Sequence, residues 1–269
     1  MRVISCVVAE HNLWLVLLAA AVCIAGSLVT MRLLGRSRRS EGVHRTGWVL
    51  QTSSAAGASV WCTHFVAVLA YDPHAPVSFD AILTIGSLGI AVLGFIAGFA
   101  IAASSTRPLP TVLSGVVVGL TITIMHYVGM IAYHVSGIVE WNMNYVALSL
   151  AFSVALSIAA LCMTTRVDRS SFQYAAVAIF VLAIVSLHFT GMAAVSVTPL
   201  STDTTNAVVI ESMAIAIAFV SLFIIASGFA SPIISADPEA EDGYLQPMAF
   251  TAPFADPPAQ PPKLRHPPH

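Results

Sequence analysis

Seven apolar stretches, each long enough to cross a lipid bilayer, are the feature that most limits how this chain folds. A membrane-spanning helix needs about 20 predominantly apolar residues. Only 9% of the residues are charged and the mean hydropathy is +0.86, whereas soluble domains carry about 25% charged residues. The sequence therefore predicts an all-α membrane protein with seven transmembrane helices. They are expected at 12–34, 47–71, 79–103, 111–135, 143–163, 173–197 and 207–230.

The arginines between these stretches predict the orientation of the chain. They lie almost entirely at alternate polar breaks: Arg32, Arg36, Arg38, Arg39, Arg45, Arg107, Arg166 and Arg169. Because positively charged residues are retained on the cytoplasmic side of a membrane, the N-terminus is expected outside and the C-terminus inside. The formal net charge is only −2, so no nucleic-acid partner is expected.

The composition changes abruptly after residue 230. The segment 231–269 holds 10 of the chain's 15 prolines and ends Pro-Pro-Lys-Leu-Arg-His-Pro-Pro-His. Such a composition is typical of disorder, because it offers too little apolar surface to form a core. The sequence therefore predicts a membrane domain at 1–230 and a disordered, proline-rich cytoplasmic tail at 231–269.

A short motif recurs three times at intervals of 62 residues. The copies at 62–68, 124–130 and 186–192 align without gaps and place His64, His126 and His188 at the same position. Each repeat of about 62 residues contains two helices, so successive repeats are expected to be parallel around a pseudo-threefold axis, with one extra helix at the end. The histidines then lie at one depth near the outer face, and they converge if the even-numbered helices line the axis.

The residues around these histidines favour a metal site. Polar side chains at membrane depth are costly and usually face a partner, a ligand or the bundle interior. Methionine follows four residues after His126 and His188, which puts the imidazole and the thioether of Met130 or Met192 on one helical face. Thioethers favour Cu(I), and imidazole binds copper, iron or zinc; no carboxylate accompanies the set. No catalytic residues are predicted.

The stretch Met125-His-Tyr-Val-Gly-Met130, with Trp61-Cys-Thr-His-Phe65 before it and Leu187-His-Phe-Thr-Gly-Met192 after it, resembles the bacterial MHYT domain. The resemblance covers residues 10–230. That family is a seven-helix sensor domain of the bacterial inner membrane. The resemblance implies a signalling input domain that coordinates copper and senses dioxygen, carbon monoxide, nitric oxide or redox state. The residues it implies as ligands are His64, His126, His188, Met130 and Met192, with Met125 and His11 as additional candidates.

Three features depart from the family pattern. Val68 stands where the first copy of the motif would have methionine, and Val128 replaces the threonine of the second copy. Family members often continue into a diguanylate cyclase, phosphodiesterase or kinase region, and no sequence long enough for one follows residue 230. The chain is therefore expected not to be an enzyme, and a cytoplasmic or membrane signalling partner is expected to supply its output.

Two other functions use the same histidines. A metal-ion transporter would hold its cargo on the axis of the bundle, and a haem or redox protein would use histidines as axial ligands. The alternative cofactor is therefore haem or another transition metal. The aromatic residues that follow the histidines, Phe65, Tyr127 and Phe189, are candidates for the wall of a gas-accessible pocket.

Overall fold

The computed structural model describes residues 10–164, 170–200 and 211–221. It contains six helices that are long and apolar enough to cross a membrane. These are α1 (Leu13–Arg39), α2 (Gly42–Ala70), α3 (Ala81–Ser104), α4 (Pro108–Ala132), α5 (Met143–Thr164) and α6 (Ser170–Met192). A shorter apolar helix, α7 (Glu211–Ser221), follows. The rest of the predicted seventh span and the tail at 231–269 lie outside the described residues, so the count of seven spans stays a prediction.

Local sequence signals explain where the helices begin. Asn12, Asp80 and Asn142 precede α1, α3 and α5, and each side-chain oxygen accepts a hydrogen bond from a backbone N–H in the first turn, at 2.8–3.1 Å. These bonds satisfy donors that have no partner inside the helix. Helix α4 begins with Pro108, whose missing N–H costs nothing at that position. The tight turn between α1 and α2 uses Gly42 at a φ of +54°, which favours glycine.

The even-numbered helices form the interior of the bundle. In the most apolar stretch of α2, 89% of the residues are buried, compared with 28% in both α1 and α5. Helices α4 and α6 are intermediate, at 61% and 56%. The histidine-bearing helices are therefore the inner ones, and α1, α3 and α5 present most of their surface to lipid.

The inner helices end earlier than the sequence predicted, and four short strands follow them. The strands are β1 (Val77–Phe79), β2 (Tyr133–Val135), β3 (Gly137–Trp141) and β4 (Val195–Pro199). Strand β1 pairs antiparallel with β2, and β3 pairs antiparallel with β4. The expected helical ends at 135 and 197 were therefore wrong, because backbone pairing between strands replaces the helical hydrogen bonds there. The all-α prediction holds for the membrane-spanning part and missed these strands.

The same backbone contacts recur at each repeat where the inner helices end. The N–H of each capping residue donates to a carbonyl at the end of an inner helix: Asn12 to Ala70, Asp80 to Ala132 and Asn142 to Ala194, at 2.8–2.9 Å. The neighbouring residues also pair: His11 with Tyr71, Phe79 with Tyr133 and Trp141 with Val195. The carbonyl positions and the partners at 71, 133 and 195 are all spaced by the motif interval. Each outer helix is thus tied to an inner one at the histidine end of the bundle.

Candidate metal centre

Helices α2, α4 and α6 bring His64, His126 and His188 together in the interior of the bundle. Each side chain is at most 5% exposed. The Nδ1 atom of His64 lies 3.3 Å from Nδ1 of His188 and 3.2 Å from Nδ1 of His126. One ligand atom from each of the three residues lies within 4.8 Å of the others. The three imidazoles therefore meet, which the sequence predicted only on the condition that the even-numbered helices line the axis.

Hydrogen bonds among the three rings cannot satisfy all of their nitrogen atoms. A ring nitrogen of a neutral imidazole is either one donor or one acceptor, yet Nδ1 of His64 takes part in both close contacts. The three Nε2 atoms are also buried and have no hydrogen-bond partner among the described residues. A cation shared by the Nδ1 atoms would be a partner for those three atoms, with the ring protons then on Nε2. Two imidazole nitrogens on a tetrahedral zinc ion, each about 2.0–2.1 Å from it, lie about 3.3 Å apart, so the two separations that involve His64 fit a single ion.

Two glycines make room for the histidine rings. A Cβ atom at Gly129 would collide with Nε2 of His64, and a Cβ atom at Gly191 would lie 2.5 Å from Nε2 of His126. Because glycine has no side chain, the imidazole of one repeat packs directly against the inner helix of the next repeat. At the corresponding position the first repeat has Ala67, which lines the cavity described below.

The methionines of the motif lie one helical turn beyond the histidines, in a separate apolar cluster. Met130 and Met192 are 5% and 1% exposed and pack with Val68, Tyr133 and Val195. Val68 therefore occupies the same layer as the two methionines. Burial raises the pKa of Tyr133, with a further contribution from Tyr71 and Asp72, so its phenol is neutral in this layer. Coordination by Met130 and Met192 stays a prediction.

An apolar cavity of about 120 Å³ lies beside the histidines. Its wall repeats with the motif, because residues four and one positions before each histidine all line it: Val60, Ile122, Ile184, Thr63, Met125 and Leu187. Val16, Ala19 and Ala20 of α1 and Val185 and Phe189 of α6 complete one side. Met125 thus lies in the cavity wall next to His126. The chain therefore provides an apolar space next to the imidazoles, between α1 and α6.

The aromatic residues after the histidines have different surroundings. Phe189 lines the cavity, as the gas-pocket interpretation requires. The phenol of Tyr127 instead shares a 2.6 Å hydrogen bond with Ser149 of α5. Phe65 packs against Trp61 and Phe79, with ring centroids 4.7 and 5.9 Å away. Only one of the three aromatic residues therefore forms part of this wall.

His11 is buried next to the cluster, in a position that aromatic residues hold in the other repeats. It is 7% exposed, and its ring lies 5.4 Å from that of Tyr71 and 5.5 Å from that of Phe189. The backbone pairing described above makes Phe79 and Trp141 its counterparts. Phe79 covers Phe65, and Trp141 lies 5.9 Å from Tyr127. The three residues form an aromatic lid over the residues that follow the histidines, and a ligand role for His11 stays a prediction.

Sequence reasoning missed the contribution of α1 and the repeated cavity wall. A signal was available, because apolar side chains recur four residues before each histidine, at Val60, Ile122 and Ile184. In α1 the corresponding hint is the pair of small residues Ala19 and Ala20. Neither pattern distinguishes a cavity wall from ordinary packing until the positions of the helices are known.

Comparisons with known proteins agree with the motif. The family model MHYT, described as a bacterial signalling protein N terminal repeat, matches residues 57–115, 119–177 and 182–233. An uncharacterized signaling protein of Caulobacter vibrioides is 37% identical over 198 residues, which is 74% of this chain and 24% of that protein. The bifunctional diguanylate cyclase/cyclic di-GMP phosphodiesterase MucR of Pseudomonas aeruginosa is 30% identical over 195 residues, 70% of this chain and 28% of MucR.

A third relative, the cyclic di-GMP phosphodiesterase NbdA of Pseudomonas aeruginosa, is 32% identical over 56% of the chain and 20% of its own length. The chain thus spans about a quarter of the length of the curated relatives it matches. No solved structure matches it. Six apolar helices and three successive family matches show that the chain is a multi-pass membrane protein of the bacterial MHYT signalling family.

Proposed function

We propose that this chain is a sensory input domain that binds one copper ion through His64, His126 and His188 and responds to a diatomic gas or to redox state. The observation that carries the proposal is the convergence of three buried Nδ1 atoms, two pairs of which are 3.2 and 3.3 Å apart. Buried polar groups without partners are costly. A bound cation gives these three imidazoles a partner.

The donor set supports copper. Imidazoles bind copper, iron and zinc, and the thioethers of Met130 and Met192 one turn away would add preference for Cu(I). Methionine coordination requires side-chain rotation out of the apolar layer, which the three flexible torsions of methionine permit. When bound, copper supplies a one-electron redox couple and a coordination position for a small ligand.

The cavity supports a small apolar ligand. Its side chains are almost entirely aliphatic or aromatic, and it reaches all three histidines. Dioxygen, carbon monoxide and nitric oxide carry no charge and enter such a space without losing strong hydration, whereas transfer of an ion into it is costly. This favours a diatomic gas over an ionic cargo and gives the sensor hypothesis precedence over transport.

The orientation completes the proposal. Seven spans with the N-terminus outside place the histidine centre near the outer face and residues 231–269, as a disordered tail, in the cytoplasm. The inner helices α2, α4 and α6 run from the histidines to the opposite end, so a shift at the centre reaches that face. A ligand produces such a shift only if it binds two arrangements with different affinity. The names of MucR and NbdA support cyclic di-GMP turnover by a signalling partner as the output.

Metal analysis of the purified full chain tests the proposal. We expect copper by elemental analysis and a change in the absorption spectrum on adding carbon monoxide. The double variant His126→Ala/His188→Ala should lose the metal. The matched control is His44→Ala/His134→Ala, which removes two exposed histidines and should retain it. Undiminished metal content in the first variant overturns the proposal. A Soret band in the absorption spectrum would identify the cofactor as haem and not copper. Metal uptake into proteoliposomes would favour transport.

A further inference from the structure

A second cavity, of about 180 Å³, lies at the end of the bundle opposite the histidines, where α1 ends. We call this the arginine end. Arg38 and Arg39 of α1 line the cavity, together with Thr106, Thr164 at the end of α5 and Gln173 in the first turn of α6. A water molecule occupies roughly 30 Å³ in the liquid, so the cavity is large enough for a small polyatomic group. Its wall combines these polar side chains with Met31, Gly35 and Ala176, so the arginines and their neighbours form one polar side of a partly apolar cavity.

Arg38 uses only part of its donor capacity. Its Nε donates to the carbonyl of Ala102 at 2.9 Å, near the end of α3, and its Nη1 donates to Oγ1 of Thr164 at 2.5 Å. These bonds fix the plane of the guanidinium between the ends of α3 and α5. Its Nη2 is buried and has no hydrogen-bond partner among the described residues. Guanidinium carries five N–H donors in a fixed fork, so Nη2 has two unused donors.

The described residues provide no negative charge in the wall of this cavity. A buried charge is costly unless it is paired, and charge-assisted bonds from arginine to phosphate are among the strongest in proteins. By the motif interval of 62 residues, the positions that correspond to Arg38 in the other repeats are Ala100 and Cys162, so neither has an arginine there. The feature is therefore additional to the repeated architecture.

We propose that this cavity binds a phosphate group, held by the guanidinium of Arg38 and by Arg39 as a second cation. The group belongs either to the headgroup of an anionic phospholipid or to a free phosphate-bearing solute. Basic pockets between membrane helices on the cytoplasmic side bind such headgroups. The site is independent of the histidine centre, and only its assignment to the cytoplasmic leaflet rests on the proposed orientation.

Binding measurements on the full chain in detergent test this site. Native mass spectrometry would count phosphatidylglycerol and phosphatidylcholine molecules retained by the protein, and the unfolding midpoint would be followed with inorganic phosphate against chloride at equal ionic strength. Preferential retention of phosphatidylglycerol identifies a lipid headgroup. A rise in the midpoint with inorganic phosphate alone identifies a free solute. In either case Arg38→Gln/Arg39→Gln should weaken binding by at least about tenfold.

Arg107→Gln is the matched control, because it removes an exposed arginine at the same end that does not line the cavity. It should leave binding within about twofold of the original protein, as expected for an exposed charge. If Arg38→Gln prevents folding, two milder variants replace it. Arg39→Gln changes an exposed side chain, and Arg38→Lys keeps the positive charge but removes the planar guanidinium group. The proposal is overturned if neither ligand binds, or if Arg107→Gln weakens binding as much as the cavity variants do.

Discussion

The first repeat and the two that follow it supply equivalent histidines but differ one turn later. The second and third repeats continue with Gly129-Met130 and Gly191-Met192, whereas the first continues with Ala67-Val68. The two glycines receive the rings of His64 and His126. Ala67 lines the cavity beside His188 instead. The cluster is thus closed tightly on two sides and borders open space on the third.

This difference shows how a repeated architecture can give a small ligand one preferred side from which to approach the histidines. Three identical repeats would surround the histidines with equal contacts and give a small ligand no preferred approach. Here the cavity lies on the side formed by α1, α6 and Ala67. The departures of the first repeat from the motif are therefore part of the site, and the following variants test them.

Replacing the first-repeat histidine should have the largest effect. Nδ1 of His64 makes both close contacts in the cluster, so His64→Ala removes the nitrogen shared by the other two. We expect copper content to fall to background in elemental analysis of the purified protein, although this repeat lacks the methionine. Normal copper content in this variant would show that the second and third repeats suffice.

The glycines should be next in importance. Gly129→Ala and Gly191→Ala each place a Cβ atom against an imidazole, and overpacking a well-packed interior costs about 1–3 kcal/mol. We expect a lower unfolding midpoint by circular dichroism in detergent and reduced metal content.

Ala67→Gly is the matched control for the glycine variants. It opens the corresponding position of the first repeat and should cost only about 0.5–1 kcal/mol, the usual price of glycine within a helix. Equal destabilisation by Gly129→Ala and Ala67→Gly would contradict the role assigned to the glycines.

Methionine replacement should separate coordination from packing. Met130→Leu/Met192→Leu keeps the volume of the apolar layer, so stability should change by less than about 1.5 kcal/mol per site. If the thioethers are ligands, Cu(I) affinity measured by competition with a chelator should fall by at least about tenfold, the loss known even for outer-shell partners. Val68→Leu is the control in the same layer, and unchanged affinity in the double variant would assign the methionines to packing alone.

The smallest effect is expected at His11. Its counterparts in the lid are Phe79 and Trp141, so His11→Phe installs the aromatic side chain that the second repeat already uses. Copper content and unfolding midpoint should stay close to those of the original protein. A marked loss of copper in this variant would instead make His11 a ligand.

The sequence predicted the parts of this molecule that follow from regular spacing. Apolar runs of bilayer length identified the six described spans, and the interval between His64, His126 and His188 predicted one depth for all three, with convergence only if the even-numbered helices line the axis. The strands were missed because three to five residues give too short an alternating pattern beside a strongly apolar helix. The contact of Gly129 and Gly191 with the histidine rings could not be predicted from the sequence, because glycine is also common in ordinary helix packing in membranes.

Single side chains without a repeat counterpart were the hardest to interpret. Arg38 is one of a run of arginines that predict orientation, and only the positions of Ala102 and Thr164 distinguish it from its neighbours. His11 followed the family pattern, yet its surroundings depend on contacts with Tyr71 and Phe189. In both cases the role depends on partners that are far away along the chain.

The contact between α1 and α6 has a mechanical consequence. Peptide segments join α2 to α3 and α4 to α5, so two of the three junctions between repeats are covalent. The third, between α6 and α1, consists of packing contacts among the described residues, and the cavity beside the histidines lies there. Because no peptide segment joins α6 to α1, this junction should separate more easily than the other two. A circularly permuted chain in which a linker joins α6 to α1 would therefore restrict the separation of these two helices and leave the imidazoles in place.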